Sequence, residues 1–205
     1  MIKQLNVKRK NPVGLYCGIG ISDIPSRRGG EKTFEYLAWT AMIKRCYDLK
    51  TQKRRPTYVG CHVSREFLKA SKFLSWARCQ VGFKNKGWVL DKDILIKGNK
   101  LYSPDTCCFV PREINGIFTL GNRLRGEYPL GVSVVSSKTG SKFQASIHLN
   151  SCYKYLGRFD TPEEAFQAYK RAKECYIKEI AELWKDRIDS KVYQALLNWE
   201  INISD

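Results

Sequence analysis

The hydrophobic pattern after residue 128 most constrains what this chain can fold into. Segments 129–135, 142–148 and 154–159 each alternate apolar and polar residues, which is typical of β-strands joined by tight turns. Thr161, Pro162 and Glu164 then supply an N-cap, a proline at the first helical position and the glutamate of a capping box. The sequence therefore predicts a three-stranded antiparallel sheet followed by one amphipathic helix.

Alternation along these strands also predicts which side chains share each face of the sheet. The face toward the helix would carry Val132, Val134, Phe143, Ala145, Ile147 and Leu156. The opposite face would carry Ser133, Val135, Lys142, Gln144, Ser146, His148, Tyr155 and Arg158. This second set is mostly polar, so it is the face expected to remain exposed.

These segments resemble the Apetala-type (ethylene-response-factor) DNA-binding domain over residues 128–185. The resemblance rests on three runs: Gly131-Val132, Lys142-Phe143-x-Ala145-x-Ile147, and Tyr155-Leu156-Gly157-x-Phe159-Asp160-Thr161. It implies that the face opposite the helix enters the DNA major groove, and that the eight residues of that face contact DNA. Plant members carry arginines where this chain has Ser133 and Val135, and a tryptophan where it has Tyr155, so the plant target sequence is not expected to carry over. The alternative is a module used only for packing.

A second constraining stretch covers residues 88–118. An apolar run leads into Asp91, Lys92 and Asp93, a Gly-Asn turn follows at 98–99, and a second apolar run leads to Asn115. The expected order is strand, loop, strand, helix.

This stretch resembles the HNH (His-Me finger) endonucleases, in particular bacteriophage proteins that join such a finger to an Apetala-type module. Earlier runs add to the resemblance: Trp39-x-x-Met42-x-x-Arg45-Cys46-Tyr47 and Tyr58-x-Gly60-Cys61-x-Val63. It implies an HNH-like domain over residues 1–121, with a basic N-terminal arm, and an Apetala-type domain with C-terminal helices over residues 122–205.

The finger resemblance also implies a metal centre. Asp91 and Asn115 match the positions that hold a single Mg²⁺ or Mn²⁺ ion through hard oxygen ligands. Lys92 stands where the family has its general base, and a lysine can act as a base only if its surroundings depress its pKa. His62 is the other candidate base. Thr106 replaces the supporting asparagine of the family.

The N-terminal half shows shorter signals. Residues 1–30, with a basic run at 8–10, are expected to be a loosely structured arm, and residues 33–47 are expected to be helical. Apolar residues recur there at helical spacing: Phe34, Leu37, Ala38, Ala41 and Met42. Arg54 and Arg55 lie in a basic loop as candidate phosphate contacts, with a solvated charge run as the alternative. A strand is expected over 58–63, and a helix after Ser64 as N-cap.

The charge balance indicates a polyanionic partner. The chain has 36 Lys plus Arg against 20 Asp plus Glu, a formal net charge of +16, and a pI near 9.6. Basic residues are spread over its whole length, so they belong to folded surfaces that could track phosphates. Double-stranded DNA is the expected partner, with structured RNA the weaker alternative.

Other classes are disfavoured. No apolar run approaches the roughly 20 residues of a membrane helix, and the first residues lack the apolar core of a signal peptide. The expectation is a cytoplasmic protein, in the bacterial host if it is encoded by a phage. The eight cysteines are then thiols, and small buried hydrophobes are favoured over a zinc site formed by Cys46, Cys61 and either Cys107 or Cys108.

The expected fold class is α+β: a His-Me finger (ββα) domain embedded in helices, followed by a three-stranded antiparallel sheet packed on a helix. The first functional hypothesis is a site-specific, metal-dependent DNA endonuclease, a hydrolase whose C-terminal sheet reads the DNA. The second is a non-catalytic DNA-binding protein, regulatory or architectural, with a degenerate finger.

Overall fold

The computed structural model describes residues 15–119, 127–137, 140–149 and 152–205. Within these ranges the fold is mixed α+β, as predicted, with six α-helices and several small sheets. The chain divides into two compact units, Met1–Phe109 and Val110–Asp205. The predicted domain boundary between residues 121 and 122, the basic run at 8–10 and the turn at 138–139 lie outside the described residues.

The first unit contains short strands and three helices. In chain order they are β1 (Leu15–Tyr16), β2 (Gly20–Ile21), β3 (Arg27–Arg28), β4 (Glu31–Lys32), α1 (Phe34–Tyr47), α2 (Leu49–Arg54), a 3-10 turn (Pro56–Tyr58), β5 (His62–Val63), α3 (Ala70–Arg78), β6 (Trp88–Asp91) and β7 (Leu101–Tyr102). Strand β8 (Cys108–Pro111) crosses the boundary between the units. The strand pairs are β1 with β2, β3 with β4, β5 with β7, and β6 with β8. Residues 15–32 are thus partly ordered as two small hairpins, where a loose arm was expected.

Helix α1 forms where the sequence predicts it, but its buried face differs from the predicted stripe. Phe34 and Leu37 are 40% and 46% exposed. Met42 is buried as predicted, but the other buried residues of the helix are Trp39, Thr40, Ile43 and Cys46. Trp39 sets this orientation, because its indole is fully buried and its Nε1 donates to the Phe67 carbonyl at 2.9 Å.

The predicted start of the next helix at Ser64 is wrong, since α3 begins at Ala70. Ser64 instead forms a turn, in which its Oγ accepts from the Phe67 amide at 3.4 Å. The carbonyl of Leu68 accepts from the Ile21 amide at 2.8 Å, so this backbone pairs with β2 and is not available for a helix. The strand expected over 58–63 is likewise reduced to β5, because the 3-10 turn ends at Tyr58 and the chain then turns at Gly60, whose φ is +77°.

The second unit contains one further helix, a sheet and two C-terminal helices. They are α4 (Arg112–Thr119), β9 (Val132–Ser137), β10 (Gly140–Leu149), β11 (Cys152–Phe159), α5 (Pro162–Trp184) and α6 (Ser190–Leu197). The sheet is antiparallel with β10 in the centre, which confirms the predicted three-stranded arrangement.

Helix α5 begins with the capping box that the sequence predicts. The Thr161 hydroxyl accepts from the Glu164 amide at 3.2 Å, and the Glu164 carboxylate accepts from the Thr161 amide at 3.2 Å. This exchange satisfies two of the amide groups that a helix start leaves unpaired. The helix packs on the sheet and buries Ala165, Phe166 and Tyr169.

The sheet face toward α5 is largely the predicted one. Ala145 and Ile147 are buried there, and Phe143 packs against Tyr128 with 5.3 Å between ring centroids. Val134 shares this face by its register with Phe143 but remains 42% exposed, so the apolar cover is incomplete at that point.

None of the helices in the described residues combines the length and the hydropathy that a membrane span requires.

Candidate functional site

Strand register places the sequence-predicted DNA-contacting residues on one face of the C-terminal sheet. Gln144 lies opposite Ser133 on β9 and opposite Arg158 on β11, and Lys142 lies opposite Val135. Residues directly opposite one another in an antiparallel sheet project to the same side. These residues, together with Ser146, His148 and the residues opposite those two, therefore form one contiguous surface. It is called the outer face below.

A register shift between Ala145 and Ser146 extends this face along β11. Beyond the shift, Ser146 lies opposite Tyr155 and His148 lies opposite Tyr153. The shift leaves Leu156 as an extra, unpaired residue on β11, and this residue puts Tyr155 and Arg158, three positions apart, on the same face.

Tyr153 is the member of the outer face that sequence reasoning missed. It is 53% exposed, almost the same as Tyr155 at 52%. Its ring packs on His148, with 5.3 Å between centroids, and its hydroxyl accepts from Gln144 Nε2 at 2.9 Å. The signal in the sequence was its position two residues before Tyr155, but β11 begins earlier than the predicted start at residue 154.

Cationic groups on the outer face differ in their surroundings. The Lys142 ammonium forms an ion pair with Asp160, a residue whose side chain is 74% exposed. Arg158 is exposed on β11. An exposed ion pair contributes little to stability, so Lys142 can exchange Asp160 for a phosphate at small cost.

Asp91 ends β6, and its carboxylate is organised by the following turn. One oxygen, Oδ1, accepts from the amides of Asp93 and Ile94 at 2.7 and 2.8 Å. The other, Oδ2, accepts no hydrogen bond from any residue that the structure describes. Burial raises the pKa of this carboxyl, and the two amide hydrogen bonds act in the opposite direction. A carboxylate with one fixed and one available oxygen fits a hard divalent cation.

Lys92 is directed into its own loop. Its side chain is almost fully buried, and its ammonium donates to the Asp93 carboxylate and to the Asn99 carbonyl, the latter at 2.6 Å. The Asn99 amide returns a hydrogen bond to the Lys92 carbonyl at 2.7 Å. This geometry is that of a structural ion pair which closes the loop, and the role of Lys92 as a base stays a prediction.

His62 and Thr106, the two other positions that the sequence resemblance singles out, have surroundings that do not mark a catalytic site. His62 is exposed on β5, with Nδ1 3.5 Å from the Gly60 carbonyl. Thr106 is buried, and its hydroxyl donates to the Leu101 carbonyl at 2.7 Å while it accepts from the Ser103 amide at 3.1 Å. Thr106 therefore fixes the turn before β8 by hydrogen bonds to the backbone.

Asn115 lies half-buried on α4, in the second unit, whereas Asp91 lies in the first. Within the second unit, α4 is held by the C-terminal helices: Lys173 Nζ donates to the Ile117 carbonyl at 2.9 Å, and Trp184 Nε1 donates to the Glu113 carboxylate at 3.1 Å. The side chain proposed as a ligand is thus carried by a helix with defined anchors.

Arg54 and Arg55 are exposed at the end of α2 in the first unit. Arg54 is the last residue of the helix and Arg55 is its C-cap. Neither has a carboxylate within ion-pair distance among the residues that the structure describes. Both guanidinium groups are therefore accessible to a polyanion.

Four cysteines are buried, as expected for small apolar residues: Cys46, Cys61, Cys107 and Cys108. Burial raises the pKa of the Cys46 and Cys107 thiols to about 12, which keeps them protonated at neutral pH. Among the described residues, no three His, Cys, Asp or Glu side chains are grouped so that they could hold a metal ion.

Comparisons with known proteins found no match: no family model, no curated protein and no solved structure is significantly similar to this chain.

Proposed function

We propose that this chain binds duplex DNA through the outer face of its C-terminal sheet and cleaves it as a metal-dependent endonuclease. The observation that carries the binding half is the register of β9, β10 and β11, which gathers polar, aromatic and cationic side chains on one exposed face. The major groove is wide enough to admit strands, and its base edges offer hydrogen-bond partners to such side chains. The net charge of +16 supports the same partner.

The cleavage half rests on Asp91. Its available oxygen is the ligand proposed for Mg²⁺ or Mn²⁺. Asn115, which the resemblance pairs with it, lies in the other unit and stays a prediction. Burial that raises the pKa of Asp91 also means that a bound cation would offset the cost of keeping the carboxylate charged. A metal there would supply activation of water and stabilisation of the leaving oxygen. Such an enzyme would act in the cytoplasm, in that of the bacterial host if a phage encodes it.

A second candidate is a DNA-binding protein that does not cut. The observation that favours it is Lys92, whose ammonium is held by Asp93 and Asn99 inside the loop. Both contacts employ the Lys92 side chain in closing its own loop, so the position after Asp91 lacks an evident base. His62, being exposed, is the remaining candidate for that role.

A plasmid-nicking assay with Mg²⁺ or Mn²⁺ separates the two. Under the first proposal the wild type nicks the plasmid, and Asp91→Asn lowers the nicking rate by about 100-fold or more. The reason is that a bound metal lowers the reaction barrier by several kcal/mol, and the substitution weakens one of its ligands. Asp105→Asn, the same change at an exposed carboxylate, is the control and should cut like the wild type. Tight binding without nicking by the wild type would establish the second candidate.

Binding itself is tested with Arg158→Ala. Loss of a guanidinium that contacts DNA is expected to weaken binding by about 1–3 kcal/mol, which is about 5- to 150-fold in Kd. Arg171→Ala removes the same charge from an exposed position on α5 and should leave Kd close to that of the wild type. Equal losses in the two variants, or no binding of duplex by the wild type, would refute the proposed interface.

A further inference from the structure

Gln144 and Tyr153 form a side-chain pair on the outer face that goes beyond general DNA contact. They are not cross-strand neighbours, because Gln144 lies opposite Arg158 and Tyr153 lies opposite His148. The Ser146–Tyr155 pair lies between them. The tyrosine must therefore lean along the sheet to bring its hydroxyl within 2.9 Å of Gln144 Nε2.

The tyrosine is itself supported. Its ring packs edge-on against His148, with planes inclined by 65°. An aromatic contact of this kind restricts the ring, and a restricted ring fixes the position of the hydroxyl oxygen that accepts from Gln144. The amide of Gln144 is therefore held by a side chain whose own position is defined, which lowers the entropy lost when that amide binds a partner.

The hydrogen-bonding inventory of Gln144 determines what that partner could be. A glutamine amide has two N–H donors and one carbonyl oxygen, and Tyr153 uses one donor. One N–H and the oxygen remain. That donor and acceptor match the major-groove edge of adenine, which presents N7 as an acceptor and the N6 amino group as a donor. Guanine presents two acceptors, N7 and O6, on its major-groove edge, so the glutamine oxygen would face another acceptor.

We infer that Gln144 specifies an A·T base pair in the major groove and that Tyr153 is the positioning residue for its amide. The inference rests on the proposed binding of duplex DNA, and it adds a base preference and a residue that the binding proposal does not require. It is independent of whether the chain cleaves DNA.

The test is selection of duplexes from a randomised library by the full-length wild type and three variants. The wild type is expected to select a motif with an invariant A·T pair. Gln144→Leu should lose the preference at that pair alone, and Tyr153→Phe, which keeps the ring and removes the hydroxyl, should weaken it at the same pair. Tyr193→Phe is the matched control, since it removes a tyrosine hydroxyl from α6, where the partner is Glu182.

A second measurement locates the contact at one atom. In the selected duplex, 7-deazaadenine replaces the adenine and removes the N7 acceptor. Binding of the wild type is expected to weaken about tenfold, within the range for one bidentate base contact. Gln144→Leu should bind the two duplexes equally, and Tyr153→Phe should show an intermediate ratio. Circular dichroism and thermal melting of each variant check that it is folded.

The outcomes separate the two proposals. Failure of the wild type to bind any duplex would refute the proposed function and this inference together. Binding without an A·T preference, or the same 7-deazaadenine penalty in Gln144→Leu as in the wild type, would overturn the inference and leave duplex binding intact. An unchanged preference in Tyr153→Phe would remove Tyr153 from its positioning role.

Discussion

Gly82 and Gly87 show how far one residue's surroundings decide the effect of a substitution. Both lie in the first unit, with φ of +83° and +82°. A Cβ added at Gly82 would lie 1.9 Å from Cε3 of Trp88, whereas one added at Gly87 would meet nothing within 4 Å. Trp88 opens β6, the strand that ends at Asp91, and packs against the core of this unit. The two glycines therefore share a backbone requirement but not a steric one.

Replacing each glycine by alanine separates those requirements. Gly87→Ala is expected to lower the free energy of unfolding by about 1–2 kcal/mol, the cost of a left-handed conformation for a residue with a Cβ. Gly82→Ala should cost about 1–3 kcal/mol more, because the Trp88 ring must move. Urea denaturation of the two variants measures the difference. Equal destabilisation would mean that the Trp88 ring moves without cost.

Residue identity alone did not show which way Lys92 points. The sequence places it between two aspartates, which allows an ion pair, while the resemblance implies a base at the same position. The deciding partner is the carbonyl of Asn99, seven positions away, which the loop brings to within 2.6 Å of the ammonium. A contact of that kind depends on loop geometry, which residue types do not determine.

At the scale of elements, α4 depends on its neighbours. It spans Arg112–Thr119, and a helix of this length is marginal in isolation. Within the second unit it is anchored by Lys173 and Trp184, and Phe118 packs on Trp199 with 4.3 Å between ring centroids. The helix that carries Asn115 thus owes its position to residues more than fifty positions further along the chain.

Lys173 gives this anchoring a pH dependence. Burial lowers the pKa of its ammonium, so between the folded and unfolded pKa values the unfolded chain binds more protons. The free energy of unfolding contributed by this group therefore rises with pH across that window, by at most about 1.4 kcal/mol per pH unit, and levels off near the unfolded value of about 10.4. Relative to Lys173→Met, the wild type should gain stability as pH increases toward that value.

Urea denaturation at several alkaline pH values measures this gain. Lys178→Met, which removes an exposed lysine from the same helix, controls for loss of a surface charge. A constant difference in unfolding free energy between the wild type and Lys173→Met would show that Lys173 does not titrate in this window.

Elements were predictable where the signal is local. The capping box at Thr161 and the alternation of the three strands are properties of a few neighbouring residues, and the helix and sheet formed as expected. The start of α3 was not predictable, because Leu68 pairs with Ile21, and that bond joins distant parts of the sequence. The buried face of α1 was missed for a related reason, since the Trp39 indole finds its partner at Phe67.

At the scale of the whole molecule, the proposed phosphate contacts and the proposed base contacts fall on different residues. Exposed cations occur in both units, as with Arg54 and Arg55 on α2 and Arg158 on β11. The side chains suited to reading base edges, such as Gln144, lie on the outer face of the sheet. Contacts to phosphates add affinity that salt weakens, whereas contacts to base edges select a sequence. Substitutions at the two kinds of site should therefore give different signatures.

The salt dependence of binding separates a phosphate contact from a general effect of charge. If Arg54 and Arg55 each neutralise a phosphate, the double change to Gln lowers the slope of log Kd against log salt by about 0.9 per contact and leaves the selected sequence unchanged. Replacing Lys185 and Lys191 by Gln lowers the formal net charge of +16 by the same two units, from exposed positions at the end of α5 and the start of α6. A long-range field would make the two double variants alike, because both lose the same charge. Direct contact predicts that only the arginine variant changes the slope, since counterions are released only where a cation meets the backbone of the DNA.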